Sequence, residues 1–495
     1  MQIKKITALS LIAALNLSLF ADNNMSLQEQ IKELKTKLQK LEKQVKKNKK
    51  TATEAKTLAN GNHLKWDVDF RTTYDTIDYT LADGSHAKNG SLIANRLLVN
   101  MKYDAGDHVR FYSTLAFNKA FGQTLNSQPN NQYYKFDWVT NEALSDDTVK
   151  VREAYWLYSN DTFFGKDISW TASIGRRPSM DGLGANFREG QKRKSALAHT
   201  VNVQFDGASF RWNLENVLPL EGSWIKFCLG RGLTSAKPRF STDGYDYAKD
   251  ENYVNSDMYG VILVPYDDGQ YSLHLNYAKS YDMIGFDKND IQKYQNAKNK
   301  YENSKDKEDY LSMMLAQPRF KDVGDLDLGT VMFKAEGIGD GINDFLDDTI
   351  FFASYAWSKT HPKNGHVMLG SPDSQTGHSY WIGLQMPGVI FDDARWGVEY
   401  NHGSKWWRSV TYGEDTMVGS KVAARGDAKE IYWIKPLTKS LSMSLRYTRI
   451  DYDYTGSNSF FGAEGAPMTM AEAKAAGMNP VEKAEDVRVL VRYKY

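Results

Sequence analysis

Asp486-Val487-Arg488-Val489-Leu490-Val491-Arg492-Tyr493-Lys494-Tyr495 alternates between charged and apolar side chains. Val487, Val489, Val491, Tyr493 and Tyr495 fall on one face, and Asp486, Arg488, Arg492 and Lys494 on the other. This period of two marks a strand set between an apolar and a polar environment. The same rhythm appears far upstream, where Trp66, Val68, Phe70 and Tyr74 oppose Asp67, Asp69 and Arg71. Leu97, Val99, Met101 and Tyr103 then oppose Arg96, Asn100 and Lys102. Beyond the turn Asp104-Ala105-Gly106-Asp107, Val109, Phe111, Leu115 and Phe117 oppose Arg110, Tyr112, Thr114 and Asn118. Two such runs joined by a short turn make a hairpin.

Further strands are expected near 149–158, 169–176, 199–215, 223–230, 257–265, 270–280, 326–335, 349–358, 379–386, 394–401, 429–435, 441–453 and 485–495. Short connections (Asp267-Asp268-Gly269, the stretch after Pro387, Pro436-Leu437-Thr438-Lys439) alternate with long ones at about 122–147, 178–198, 282–325, 403–428 and 455–484. Short turns at one end and long loops at the other predict an all-β, antiparallel transmembrane barrel. A final strand ending on an aromatic residue suits the closing strand of a bacterial outer-membrane barrel. With both barrel ends on one side, the strand count is even. If the chain runs straight through Asp206-Gly207, the count is 16. If that pair is a turn, 201–205 and 208–214 are separate strands, another lies within 231–254, and the count is 18. The expectation favours 18, because Asp-Gly between alternating runs is a strong hairpin signal.

Residues 1–21 read as a signal peptide: Lys4 and Lys5, an apolar run from Ile6 to Phe20, and Ala21 as a small residue before the cut. The apolar run falls short of the roughly 20 residues that span a bilayer as a helix. In segment 22–61, Leu27, Ile31, Leu34, Leu38, Leu41 and Val45 keep heptad spacing, which predicts a periplasmic coiled coil that self-associates. A helix lying on the barrel or the membrane is the alternative. The barrel is expected over 62–495. Formal net charge is +1, yet 22–60 carries +5 and the leader +2, leaving −6 on the rest. No basic domain for nucleic acid exists. The surplus lysines of the stalk could meet anionic cell wall.

Mean hydropathy is −0.56, as expected of a barrel whose lipid-facing and lumen-facing residues alternate. The 29 Tyr and 12 Trp suit aromatic girdles at the membrane interfaces. A single cysteine, Cys228, excludes an intramolecular disulfide and reads as a small residue packed on a wall. No enzyme, cofactor or metal site is expected. Gly337-Ile338-Gly339-Asp340-Gly341 reads as a glycine-rich turn. Ser272, His274 and Asn276 share one strand face at about 7 Å per step, too far for a hydrogen-bonded triad. Asp340, Asn343, Asp344, Asp347 and Asp348 do not match a calcium loop's spacing.

The inward face is more suggestive. If the last strand pairs with the first, Arg446, Arg488, Arg492, Arg71, Arg96, Arg110 and Arg152 fall on neighbouring strands. They form either a basic wall favouring anions or a polar lining neutralised by Asp67, Asp69 and other acids. Segment 177–193, with Arg177, Arg188, Lys192 and Arg193, reads equally as an inward constriction or a surface loop.

Lys65-Trp66-Asp67-Val68-Asp69-Phe70-Arg71, Val149-Lys150-Val151-Arg152-Glu153-Ala154-Tyr155-Trp156, Ile174-Gly175-Arg176-Arg177-Pro178, Phe205-Asp206-Gly207-Ala208-Ser209-Phe210 and Tyr412-Gly413-Glu414-Asp415-Thr416-Met417-Val418-Gly419-Ser420, with the coiled coil, resemble an uncharacterised family. It comprises outer-membrane, porin-like proteins of campylobacter-like (epsilonproteobacterial) bacteria and is classed as a domain of unknown function. The resemblance covers nearly the whole chain beyond the leader. It implies a barrel in contact with outer-membrane lipid and lipopolysaccharide, and brings no catalytic residues. The resulting expectation is a porin passing small hydrophilic solutes, trimeric through its coiled coil. The alternative is a structural or adhesive barrel with a closed lumen and partner-binding loops.

Overall fold

Sixteen antiparallel strands close on themselves, so that no sheet edge is left open. In chain order they are β1 (Leu64–Leu81), β2 (His86–Gly106), β3 (Val109–Ala120), β4 (Val149–Asn160), β5 (Trp170–Arg177), β6 (Phe205–Asn213), β7 (Trp224–Thr234) and β8 (Asn255–Asp267). There follow β9 (Tyr271–Phe286), β10 (Phe320–Glu336), β11 (Ile350–Pro362), β12 (Thr376–Pro387), β13 (Arg395–Gly403), β14 (Gly426–Pro436), β15 (Leu441–Tyr452) and β16 (Val481–Lys494). The computed structural model describes residues 64–123, 144, 148–177, 180–195, 197–234, 254–339, 341–411 and 416–495. The leader at 1–21 and the heptads of 22–61 lie outside the described residues.

The seam joins the two stretches that carry the alternation. Arg71 pairs with Arg492 and Tyr74 with Val489, and Val68 and Tyr495 exchange backbone hydrogen bonds of 3.0 Å. Because side chains alternate across a strand, Trp66, Tyr74, Phe111, Val487 and Val491 stand exposed outside while Asp69, Arg71, Asp75, Arg96 and Arg488 are buried inside. An apolar exterior around a polar interior is the arrangement that lets strands cross a bilayer. No helix among the described residues is long and apolar enough to do so. Two helices, α2 (Lys288–Ser304) and α3 (Lys307–Leu315), sit in the β9–β10 connection, capped by the side chains of Asp287 and Asp306. The short helix α1 (Ala185–Arg188) lies between β5 and β6.

The favoured count of 18 is overturned at Asp206-Gly207. Both residues lie inside β6, which runs straight through, so the 16-strand alternative holds; 199–204 belong to the preceding connection, and 235–253 lie outside the described residues. A type I′ turn needs positive φ, and Gly207 lacks it. Gly207 instead pairs with Gly175 on one side and Gly230 on the other. A Cβ there would sit 2.1 Å from the Leu229 carbonyl oxygen. The glycine serves close strand approach, and Asp206 on the outer face pairs with Arg176 at 3.3 Å. Gly207→Val should therefore cost about 1–3 kcal/mol or more by overpacking, whereas Gly90→Val meets nothing within 4 Å. The fraction of refolded, heat-modifiable barrel on gels should fall for the first variant and hold for the second.

Two of the long connections do not stay outside. Among the described residues, 180–188 and 197–204, after β5, and 407–411 and 418–425, after β13, are largely buried. They touch through a parallel bridge between Val201 and Val410, with the Val410 N–H donating to the Thr200 carbonyl at 2.9 Å and the Asn202 N–H to the Val410 carbonyl at 2.8 Å.

Candidate functional site in the barrel lumen

Apolar side chains carry the β5–β6 segment across the lumen. Leu183, Ala185, Phe187, Leu197 and Ala198 cluster with Met332, Phe352, Trp381 and Val422, and Phe187 stacks on Phe352 at 5.6 Å. Gly184, at φ +99, lies so close to Trp381 that a Cβ would meet the ring at 2.4 Å. His199, fully buried, places Nδ1 2.8 Å from Ser354 Oγ and Nε2 2.9 Å from Ser379 Oγ. Buried imidazole nitrogens demand such partners, and here they fix the segment to β11 and β12.

The β13–β14 segment is held by cations. Arg425 donates from Nε to the Trp407 carbonyl at 2.9 Å and from Nη1 to those of Thr455 and Gly465 at 2.8 and 2.7 Å. Arg408 donates to the carbonyls of Ser457 and Ser459. Lys421 Nζ lies 2.7 Å from both Glu399 and Glu430. Glu430 also accepts from Arg188 at 3.1 Å and from Thr448 Oγ1 at 2.8 Å. Both segments thus converge on the Glu430 carboxylate.

The expected arginine wall exists on the seam strands, but it is paired. Arg71 faces Arg96 on β2 and Arg492 on β16, and Arg446 faces Arg488. Like charges directly opposite are destabilising unless something separates them. Glu189 of the inserted segment does so, 3.0 Å from Arg446, 3.5 Å from Arg492 and 3.8 Å from Arg71. Arg492 Nε also donates to Asp69 at 2.8 Å, the Asp69 carboxylate lies within Coulombic range of Arg96, and Arg488 pairs with Asp75. Arg110 and Arg152 stand apart from this group. Arg110 binds Asp104 at 3.2 Å beside the β2–β3 turn, and Arg152 binds Asp181 at 3.1 Å. Asp67 is exposed and accepts from Asn100 Nδ2.

Sequence reasoning missed Glu189, Glu430 and Lys421. The available signal was apolar density inside a nominal loop, with Trp406, Trp407, Val410, Val418, Val422, Ala423 and Ala424 too greasy for solvent. The distance argument against Ser272 and His274 also fails. Their Cα separation is that of a strand step, yet the side chains lean together and Nε2 lies 2.9 Å from Ser272 Oγ. The third member is absent: Asn276 donates to Thr200 instead, at 3.1 Å, and His274 Nδ1 has no hydrogen-bond partner among the described residues. Gly337 and Gly341 lie in the β10–β11 turn with positive φ, as expected. Asn343 caps a short helix through Leu346 N, while Asp340 lies outside the described residues.

Space remains where the inserted segment leaves the wall. A cavity of about 710 Å³ is lined by Lys192, Arg193, Asp267, Lys334, Glu336 and Arg395 among others. A second, of about 360 Å³, shares Arg193, Asp267 and Gly269 and adds Arg211 and Trp224. A third, of about 100 Å³, lies between the segment and β5–β9, with Arg177, Lys226 and Cys228 on its lining.

Among solved structures, the chain is similar to OmpT, an outer membrane protein of Vibrio cholerae in trimer form, at 11% identity and TM-score 0.41, covering 88% of this chain and 100% of that one. It is similar to an anion-selective porin from Comamonas acidovorans at 10% identity and TM-score 0.44, covering 87% and 99%. Likeness to Pseudomonas putida OprB is 10% identity and TM-score 0.46, covering 90% and 96%. No curated protein matches the chain in sequence. A family model described as protein of unknown function (DUF3373) matches residues 86–495, which hold fifteen of the sixteen strands, all but β1, and the chain belongs to that family.

Proposed function

We propose that the chain is an outer-membrane, porin-like channel for passive diffusion of small hydrophilic solutes. The observation that carries this reading is a pair of charged cavities, about 710 and 360 Å³, that share Arg193, Asp267 and Gly269 in a closed barrel with a polar lumen. Solvent-filled space lined by Lys192, Arg193, Asp267, Lys334 and Glu336 is what a hydrophilic solute requires and what a merely structural barrel does not. The leader of 1–21 would deliver the chain to the periplasm, the apolar outer face would meet lipid and lipopolysaccharide, and the heptads of 22–61 would join copies into a trimer. Catalysis is disfavoured, since the Ser272–His274 pair is buried and His274 has no carboxylate among the described residues to orient it.

One observation favours the second reading, a structural or adhesive barrel with a closed lumen. Val203, Met283, Ile284, Leu326, Leu328, Val410, Phe460 and Phe461 form an apolar cluster inside the barrel, and dry apolar packing blocks water. Planar-bilayer recording of the refolded full chain separates the two. A channel gives ohmic steps. A correctly folded, heat-modifiable barrel that stays electrically silent sinks the channel reading.

A further inference from the structure

We propose that the inner faces of β5, β6 and β7, with Arg193 of the inserted segment, form a binding track for small inorganic anions. The proposal rests on the channel reading for its solute, but its test does not. Arg211 on β6 and Lys226 on β7 are direct cross-strand partners facing the lumen. Two cations in that relation repel unless a counter-charge lies between them, and among the described residues none does. Among the described residues, Lys226 makes no hydrogen bond or ion pair, and the charged and titratable groups facing it are Cys228, Arg177 and Arg211. Arg211 lies 4.2 Å from the centre of the Trp224 ring and faces Arg193, with Asp267 and Glu215 as the acids within range.

Arg177 donates to Ser209 Oγ at 3.2 Å and sits 4.2 Å from the centre of the Tyr155 ring. Glu153 is the acid in its range. Contacts with rings and hydroxyls hold a guanidinium in place without cancelling its charge. Of these four cations, Arg193 is the one within ion-pair distance of a carboxylate among the described residues, Asp267 at 3.7 Å. The contrast with the seam strands is plain: there Asp69, Asp75 and Glu189 neutralise the arginines. On β5–β7 the cations instead border two cavities, of about 100 and 360 Å³. An anion entering them supplies the missing charge, and the smaller cavity admits only a small one.

The lone cysteine is a built-in probe, because Cys228 is half-buried and lines the same cavity as Arg177 and Lys226. The full chain, folded in detergent, is labelled with sulfonate-bearing and trimethylammonium-bearing methanethiosulfonates of similar size. Local field also changes the thiolate fraction, but that affects both reagents equally and cancels in the rate ratio. The anionic reagent should react about tenfold faster or more, the scale set by unit charges a few ångströms apart. Lys226→Gln or Arg211→Gln, either of which suffices if the other misfolds, should lower the ratio about threefold. Arg231→Gln, the same charge change on the outer face beside Asp257, should leave it unaltered. Equal rates for the two reagents, or no labelling by either, overturn the proposal. A silent bilayer with anion-biased labelling rejects the channel but keeps the site, and ohmic steps with unbiased labelling do the reverse.

Discussion

Glu430→Gln should release the two internal segments while leaving the barrel standing. The carboxylate is buried among Lys421, Arg188 and Thr448 Oγ1, and both cations are only 2% exposed. Removing one partner of a buried pair costs about 3–5 kcal/mol, because the remaining charge has no water. Lys421 would fall back on the Glu399 carboxylate, which already accepts from Trp381 Nε1 at 2.9 Å, and Arg188 on Glu189 at 3.9 Å. The strain falls on the segments, since β14 is still hydrogen-bonded to β13 and β15 along its length. Local opening should become more than about 100-fold more populated. Trypsin reads this directly, because Arg408, Lys421 and Arg425 are buried in the intact chain and should become cleavage sites. Adding Arg188→Gln leaves Lys421 paired with Glu399 and should recover much of the protection. A tryptic pattern and rate identical to the unsubstituted chain would sink the idea that this carboxylate is the latch.

The wall was legible from the sequence because strands of a closed barrel present an exposed apolar face outside and a polar face to the lumen, which forces period-two alternation. Arg71, Arg96, Arg446, Arg488 and Arg492 were placed on one seam by that rule and the assumption of closure. What fills the wall was not legible. Segment 180–204 does not alternate, because its partners are other segments rather than a sheet neighbour, so periodicity says nothing about where it goes. Glu189 looked like any loop acid, and only its position between Arg71, Arg446 and Arg492 reveals its work. Asp206-Gly207 misled for a related reason. Asp-Gly signals a turn when glycine is needed for positive φ, but glycine is also needed where strands crowd, and the two demands look alike in a sequence. Arg211 and Lys226 escaped notice because their significance is that no carboxylate among the described residues forms an ion pair with them, which no linear pattern displays.

Replacing residues 178–204 by Asn-Gly should raise single-channel conductance several-fold, or create conductance if the intact lumen is closed. The design follows from the register. Arg177 and Phe205 are paired residues at the ends of β5 and β6, so a two-residue type I′ turn closes the hairpin without moving either strand. The excision removes Phe187 from its stack on Phe352 and His199 from Ser354 and Ser379, opening the space they fill. It also removes Glu189, so Arg71 and Arg446 lose that carboxylate while Arg492 keeps Asp69. The excised stretch carries Arg188, Lys192, Arg193 and Lys194 against Asp181 and Glu189, a net +2, so ion preference should move toward cations as conductance rises, and the two changes together distinguish removal of this segment from nonspecific leakiness. Met332, Phe352 and Trp381 lose their apolar cover, so the thermal unfolding midpoint should fall. The strand ladder is untouched, and the variant should still migrate as a heat-modifiable barrel. Unchanged conductance in a folded variant would mean that the solute path does not pass the segment, and the idea that this segment narrows the lumen would have to be abandoned.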